Sequence, residues 1–270
     1  MPELPEVETV KRQLSNKIIS AEISGVELSG KKMRYTPDAT LISKMAGEKI
    51  LHLHRRNKYL VIETNSLYLL FHLGMSGQLK LVSSTTEKEK HEHVSILLGN
   101  KKLALVDPRR FGGFVVYEKI NDWLDIPLFS NLGIEPFGDK YTLENFKAII
   151  KKENIKKFLL DAHNICGVGN IYANEIMFKT GINPHSTMDK LTDIELENIF
   201  INIKEILQLA IDNGGSSISD FVHVNGESGK MQNLYKVYNR EGKPCLICQT
   251  NIKKIKQFGR STYYCPKCQS

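Results

Sequence analysis

"CLICQTNIKKIKQFGRSTYYCPKC", residues 245–268, holds four of the chain's five cysteines as two Cys-x-x-Cys pairs. Cys245 and Cys248 precede a sixteen-residue insert; Cys265 and Cys268 follow it. That spacing matches a four-thiolate zinc site, because each pair offers two soft sulfurs from one tight turn and the two turns close a tetrahedron. With all four positions filled by protein, the ion is structural, one per chain. Two disulfides or a redox pair are the alternative. In the insert, Ile252, Ile255 and Phe258 interleave with Lys253, Lys254, Lys256 and Arg260. A β-hairpin presenting cations to phosphates has this pattern; so does a charged hairpin that faces only water. Gly259, beside Arg260, would let the backbone approach a partner closely.

Outward from the cysteines, the charge follows the same geography. Lys plus Arg exceed Asp plus Glu by 37 to 30, a net charge of +7. Residues 231–270 carry eight Lys or Arg against one acid, Glu241, so the whole basic surplus sits at this end. A basic segment suits an anionic partner. No basic, apolar leader opens the chain, and no apolar run approaches the ~18–20 residues of a membrane span. An intracellular, reducing compartment is expected, where clustered cysteines bind metal more often than they pair. Cys166 stands alone and reads as a buried core thiol.

The remaining 230 residues divide in two. Residues 5–17 predict a helix, with Val7, Val10, Leu14 and Ile18 at helical spacing and Pro5, Glu6 and Glu8 suited to its first turns. Pro2 and Glu3 lie before it and are left unexplained by it. From about residue 19 to 118, β-rich runs such as "KYLVIET", "LYLLFHLG" and "GGFVVYE" alternate with turn signals, as in a mostly antiparallel sandwich. "NLGIEPFGDKY" (131–141) reads as a linker, and helices follow at 143–150, 155–162 and beyond "GVGN" (167–170), where Asn170 reads as a helix cap. Thr192-x-x-Glu195 is a capping box for a long helix ended by Gly214 and Gly215. Residues 216–232 form a long loop with little periodicity.

Two glycine-bearing loops, "HLGMSGQL" and "DPRRFGGF", couple turns to bulky and cationic side chains. They are either plain β-turns or wedges, in which Met75 and Phe111 fill a gap in a base stack and Arg109 bonds an orphaned base. Lys58 falls just before a strand, and His91 and His93 before another. The two histidines could ligate metal, though no further ligand completes that site.

"MPELPEVETV", "NKYL", "HLGMSG", "KHEHV", "DPRRFG", "GVGNIYANE" and "GRSTYYCPKCQ" occur in one order along essentially the whole chain. Together they resemble bacterial formamidopyrimidine-DNA glycosylases. The resemblance implies an α+β fold in three parts: an N-terminal β-sandwich with a leading helix (1–130), a helix–two-turns–helix domain (131–234) and a zinc-finger β-hairpin (235–270). It implies excision of 8-oxoguanine and formamidopyrimidines from double-stranded DNA, then β,δ-elimination at the abasic site. It also implies a monomer, no membrane, and a bacterial cytoplasm with association to the nucleoid through DNA.

By the same match, Met1 is removed and Pro2 becomes the nucleophile. An α-amino group titrates near ~8, so a usable neutral fraction exists at neutral pH. Glu3 is implied to protonate the opening sugar, Lys58 to serve β-elimination, and Arg260 to serve δ-elimination and grip a phosphate. His91, Arg109, Lys151 and Asn170 match DNA contacts. Met75, Arg109 and Phe111 match the trio that fills the hole left by the everted base, and residues 216–232 match a lesion-capping loop. Rival readings are an endonuclease VIII-like enzyme for oxidised pyrimidines, whose members usually open "PEGPE" where this chain has "PELPE", a catalytically inactive DNA-binding paralogue, and a zinc-stabilised RNA-binding protein of the translation apparatus.

Overall fold

The computed structural model describes residues 2–35, 37–217, 224 and 228–269. Most of the expected capping loop, residues 218–223 and 225–227, lies outside them. The chain packs as two units, Met1–Ser130 with Asn213–Lys230, and Asn131–Asp212 with Met231–Ser270.

In the first unit, helix α1 (Leu4–Ile18) is followed by β1 (Gly25–Leu28), a short α2 (Ala39–Ser43), and β2 (Ile50–Arg56), β3 (Tyr59–Thr64), β4 (Leu67–His72), β5 (Gln78–Ser83), β6 (Glu92–Leu98), β7 (Lys101–Val106) and β8 (Gly113–Glu118). Two four-stranded antiparallel sheets result, ordered β1-β6-β7-β5 and β2-β3-β4-β8. Apolar side chains from both sheets and from α1 share one core: Val10, Leu14 and Ile18 of the helix pack with Ile62, Leu69 and Phe71 of one sheet and Ile96 and Leu105 of the other. Burying those faces against each other is what stabilises a sandwich.

In the second unit, α3 (Leu143–Ala148), α4 (Ile155–Leu160), α5 (Asn170–Thr180) and α6 (Asp193–Asp212) precede the hairpin β9 (Lys253–Gln257) and β10 (Arg260–Tyr264). The capping box of α6 forms as expected: the Glu195 carboxylate accepts from the Thr192 N–H, and the Thr192 hydroxyl accepts from the Glu195 N–H. Cys166 is buried and donates to the Gly133 carbonyl.

Three local expectations change. Asn170 is not the cap of α5; Gly169 occupies that position, and Asn170 is the first helical residue. Glu3, expected to precede the first helix without a role in it, is its N-cap, and its backbone N–H donates to Glu6 Oε2 at 2.8 Å. His93 does not precede its strand but lies within β6, buried, with one ring nitrogen against Ser29 Oγ and the other against the Asp107 carbonyl. Both nitrogens are thus occupied, and among the described residues the four cysteines are the sole cluster suited to a metal.

Candidate functional site

The start of α1 is fastened from two sides. Pro2, Glu3 and Glu6 are buried. Glu6 Oε1 accepts from the Ser216 N–H and hydroxyl, which holds the described part of the 213–230 segment on the helix start. Gly215 lies so close that a side chain there would press on the Glu6 carboxylate, and its φ of +71° suits only glycine.

Lys58 is held in register with this helix by a relay. It occupies the tight turn between β2 and β3, entered through Asn57 at φ +55°. Glu8, one helical turn from the N-cap, accepts from Arg55 Nε at 3.0 Å, and Arg55 Nη1 donates to the Asn57 carbonyl. Burial alone would raise Glu8, but Lys11, Arg55 and Arg12 together hold it below the usual carboxylate range, so it is the anionic hub of this relay. His72, at the end of β4, is pushed down to about 4, chiefly by burial and then by the charges of Arg34 and Lys58. It is neutral at pH 7, and its Nδ1 accepts from the Gly74 N–H.

Met75, Arg109 and Phe111 come together on an open groove of about 590 Å³. Met75 and Phe111 are exposed, and the Arg109 guanidinium lies 4.7 Å from the Phe111 ring centroid. The two loops that carry them are zipped by Asp107, which is wholly buried. Its carboxylate accepts from Ser76 Oγ (2.6 Å) in one loop and from the N–H groups of Gly112 (2.7 Å) and Arg109 (3.2 Å) in the other. His91 is part-buried next to them and its carbonyl accepts from the Asp107 N–H. An exposed arginine over an exposed phenylalanine, with apolar Met75 beside them, can both fill a gap between bases and hydrogen-bond a base edge.

In the second unit the finger hairpin is moored by buried polar groups. Lys156 of α4 has no exposed surface, and its Nζ donates to the Ser261 carbonyl and Thr262 Oγ1. Burial and the nearby Arg260 charge push it down to about 8. Asn170 Nδ2 also donates to the Ser261 carbonyl, while its buried Oδ1 has no partner among the described residues. Asn174 Oδ1 accepts from the Tyr263 N–H, and buried Glu175 accepts three backbone N–H groups, from Lys236, Val237 and Tyr238. Arg260 is exposed at the free end of the hairpin, and Lys151 is exposed after α3 with Glu153 as its ion-pair partner.

The thiolate quartet fits zinc. The four sulfurs lie within 4.8 Å of one another, with Cys245–Cys268 at 3.9 Å and Cys248–Cys265 at 3.4 Å. A tetrahedron with metal–sulfur bonds of ~2.3 Å has edges of roughly 3.8 Å. Without an ion the thiols titrate far apart: burial and its neighbours push Cys268 up to about 12, while hydrogen bonds from Thr250 and then from the other sulfurs hold Cys248 down at about 6. A dication is what reconciles four such sulfurs at neutral pH. Cys245, Cys248, Cys265 and Cys268 therefore hold a single structural zinc.

Sequence reasoning missed Asp107, Lys156, Glu6 and Glu175. Each is a buried charge with at least one backbone or hydroxyl partner remote in sequence, Ser76, Ser261, Ser216 and Lys236 respectively, and no local pattern announces such a partner.

A β-sandwich with a leading helix, a helix–two-turns–helix unit and a four-thiolate finger define a DNA glycosylase of the finger-bearing class. Residues 1–114 match the formamidopyrimidine-DNA glycosylase N-terminal domain, 132–222 the H2TH domain of the same enzymes, and 242–270 the zinc finger found in FPG and IleRS. The chain belongs to the formamidopyrimidine-DNA glycosylase family, whose members combine glycosylase and abasic-site lyase activities. The Rickettsia africae enzyme of that name is 43% identical over 273 residues, covering 100% of this chain and 99% of that one. The Legionella pneumophila enzyme is 38% identical, with 100% and 98% covered. Among solved structures, a mutant Lactococcus lactis enzyme bound to Fapy-dG DNA superposes with a TM-score of 0.92 at 33% identity, each chain fully covered. The same bacterium's enzyme on abasic-site DNA gives 0.91 at 34%, with 99% of each covered. No helix among the described residues is long and apolar enough to cross a membrane.

Proposed function

We propose that this chain is a base-excision repair enzyme that removes oxidised purines, 8-oxoguanine and formamidopyrimidines, and then cuts the abasic strand, acting as a monomer in the bacterial cytoplasm. The observation that carries the assignment of residues is the fastened start of α1. Pro2 sits one residue before the N-cap, Glu3 is the cap, and the Glu8–Arg55–Asn57 relay fixes the Lys58 turn against the same helix.

In this reading Met1 is removed, and the Pro2 secondary amine attacks C1′ of the everted nucleotide. The N–C1′ bond forms as the glycosidic bond breaks, the Pro2 nitrogen gives up its proton, and the base leaves with the bonding pair and takes up a proton. Glu3 donates a proton to the ring oxygen, the ring opens and an iminium forms. That electron sink acidifies C2′, so loss of its proton expels the 3′ phosphate; Lys58 supplies the proton-transfer group. A second elimination expels the 5′ phosphate, with Arg260 holding it, and hydrolysis frees Pro2. Arg109, Met75 and Phe111 occupy the vacated stack, while His91, Lys151 and Asn170 grip the backbone. Zinc shapes the finger and enters no bond-making step. Residues 1–130, 131–234 and 235–270 serve as catalytic sandwich, DNA-binding helices with capping loop, and finger.

The test is borohydride trapping on an 8-oxoguanine duplex with mapping of the adducted peptide. The adduct is expected on Pro2. An adduct on an interior lysine, or none at all, overturns the reading.

A further inference from the structure

The finger's turn breaks a local rule. β9 and β10 pair through Gln257 and Arg260, leaving a two-residue turn of Phe258 and Gly259. Both have positive φ, +50° and +74°. A two-residue turn of this kind favours Asn-Gly, Asp-Gly or Gly-Gly, since a bulky side chain in the left-handed region is strained. Phenylalanine therefore costs stability here. Packing does not bury it: the residue is 52% exposed, and among the described residues its ring meets no aromatic or cationic neighbour. A residue that is locally unfavourable and unpartnered at a turn tip points to a role outside the fold.

The surroundings say what it meets. Arg260 is two positions away and exposed, and Lys253, Lys254 and Lys256 are exposed along the same hairpin. The strands beside the tip are moored: Lys156 donates to Ser261 and Thr262, Asn174 accepts from the Tyr263 N–H, and Gln257, the residue before the turn, donates to the Pro184 carbonyl. The tip is thus rigidly held while its side chains are free. An aromatic ring among cations offers the two components of nucleic-acid contact, a stacking face and counter-charge for phosphate. Lys254 pairs with Glu241, which leaves Lys253, Lys256 and Arg260 as the counter-charge for phosphate.

The geometry points to Phe258 as an aromatic DNA contact, its ring stacking on a base or deoxyribose next to the phosphate gripped by Arg260. This deepens the proposed function and rests on it for the identity of the ligand.

The experiment compares wild type with Phe258→Asn and Phe258→Trp on an 8-oxoguanine duplex. Asn-Gly is the favoured turn, so Phe258→Asn should melt at the same temperature as wild type or higher, yet bind about tenfold more weakly, the scale of one lost stacking contact. No charge changes, so the slope of log affinity against log salt should stay the same. Phe258→Trp should restore binding. Wild-type affinity in Phe258→Asn, or a fall in its melting temperature that accounts for the weaker binding, overturns the inference. Wild type is trapped with borohydride in parallel. If it binds duplex but forms no adduct, the enzymatic reading fails, and the affinity comparison still decides the contact.

Discussion

Replacing Asp107 by alanine should loosen the two loops from each other while leaving every side chain proposed to meet DNA in place. Its carboxylate accepts three hydrogen bonds, from Ser76 Oγ, Gly112 N–H and Arg109 N–H. Ser76 and Gly112 are buried, so their donors lose their acceptor with no water to replace it; Arg109 is exposed and re-solvates. Two orphaned buried donors at ~1–3 kcal/mol each predict a loss of about 2–6 kcal/mol. Against a total stability of roughly 5–15 kcal/mol, this is a large effect on a still folded protein. Asp107→Asn keeps one acceptor and should fall between. Urea unfolding measures the stability change. Single-turnover kinetics then compare 8-oxoguanine excision with cleavage of a preformed abasic site. Excision should fall further, because only there must a stacked and paired base be expelled and its gap filled. A stability loss below about 0.5 kcal/mol would show that the network is not energetically coupled. An equal fall in both reactions would show that the loops do not act through the vacated stack.

Zinc removal by a chelator under mild denaturant should abolish tight duplex binding, read by gel shift, while adduct formation at saturating protein persists; unchanged binding by metal-free protein would contradict a structural ion. Lys156, pushed down to about 8 when folded, titrates near ~10.4 in the unfolded chain, so the unfolded state holds more protons between those values. Its contribution to stability therefore rises as pH climbs through that window. The gap in melting temperature between wild type and Lys156→Met should move in favour of wild type from pH 7 to 10; a constant gap would refute the shift. Protein that retains Met1 should bind damaged duplex but give no borohydride adduct, and normal trapping with Met1 present would exclude Pro2 as nucleophile.

What was legible in the sequence depended on repetition at short range. Alternating apolar residues gave the strands, helical spacing gave α1 and α6, and the Cys-x-x-Cys pairs gave the metal site, because in each the cause lies within a few residues of the effect. The Asn170 error has the same origin: asparagine is a good cap, but Gly169 already holds the cap geometry, and the carboxamide is drawn off to Ser261, ninety-one residues away. Lys156 was invisible for a related reason. In "NIKKFLL" it and Lys157 look alike, yet one is sealed against the hairpin and the other is exposed beside Glu153. Which of two adjacent lysines faces inward is decided by the element packed against the helix, a fact of tertiary structure alone. Sequence patterns thus revealed the groups that meet zinc and, by resemblance, those assigned to DNA. The buried carboxylates and ammonium that aim them had to be read from the fold, because each satisfies a backbone or hydroxyl group whose need for a partner exists only once the chain has closed around it.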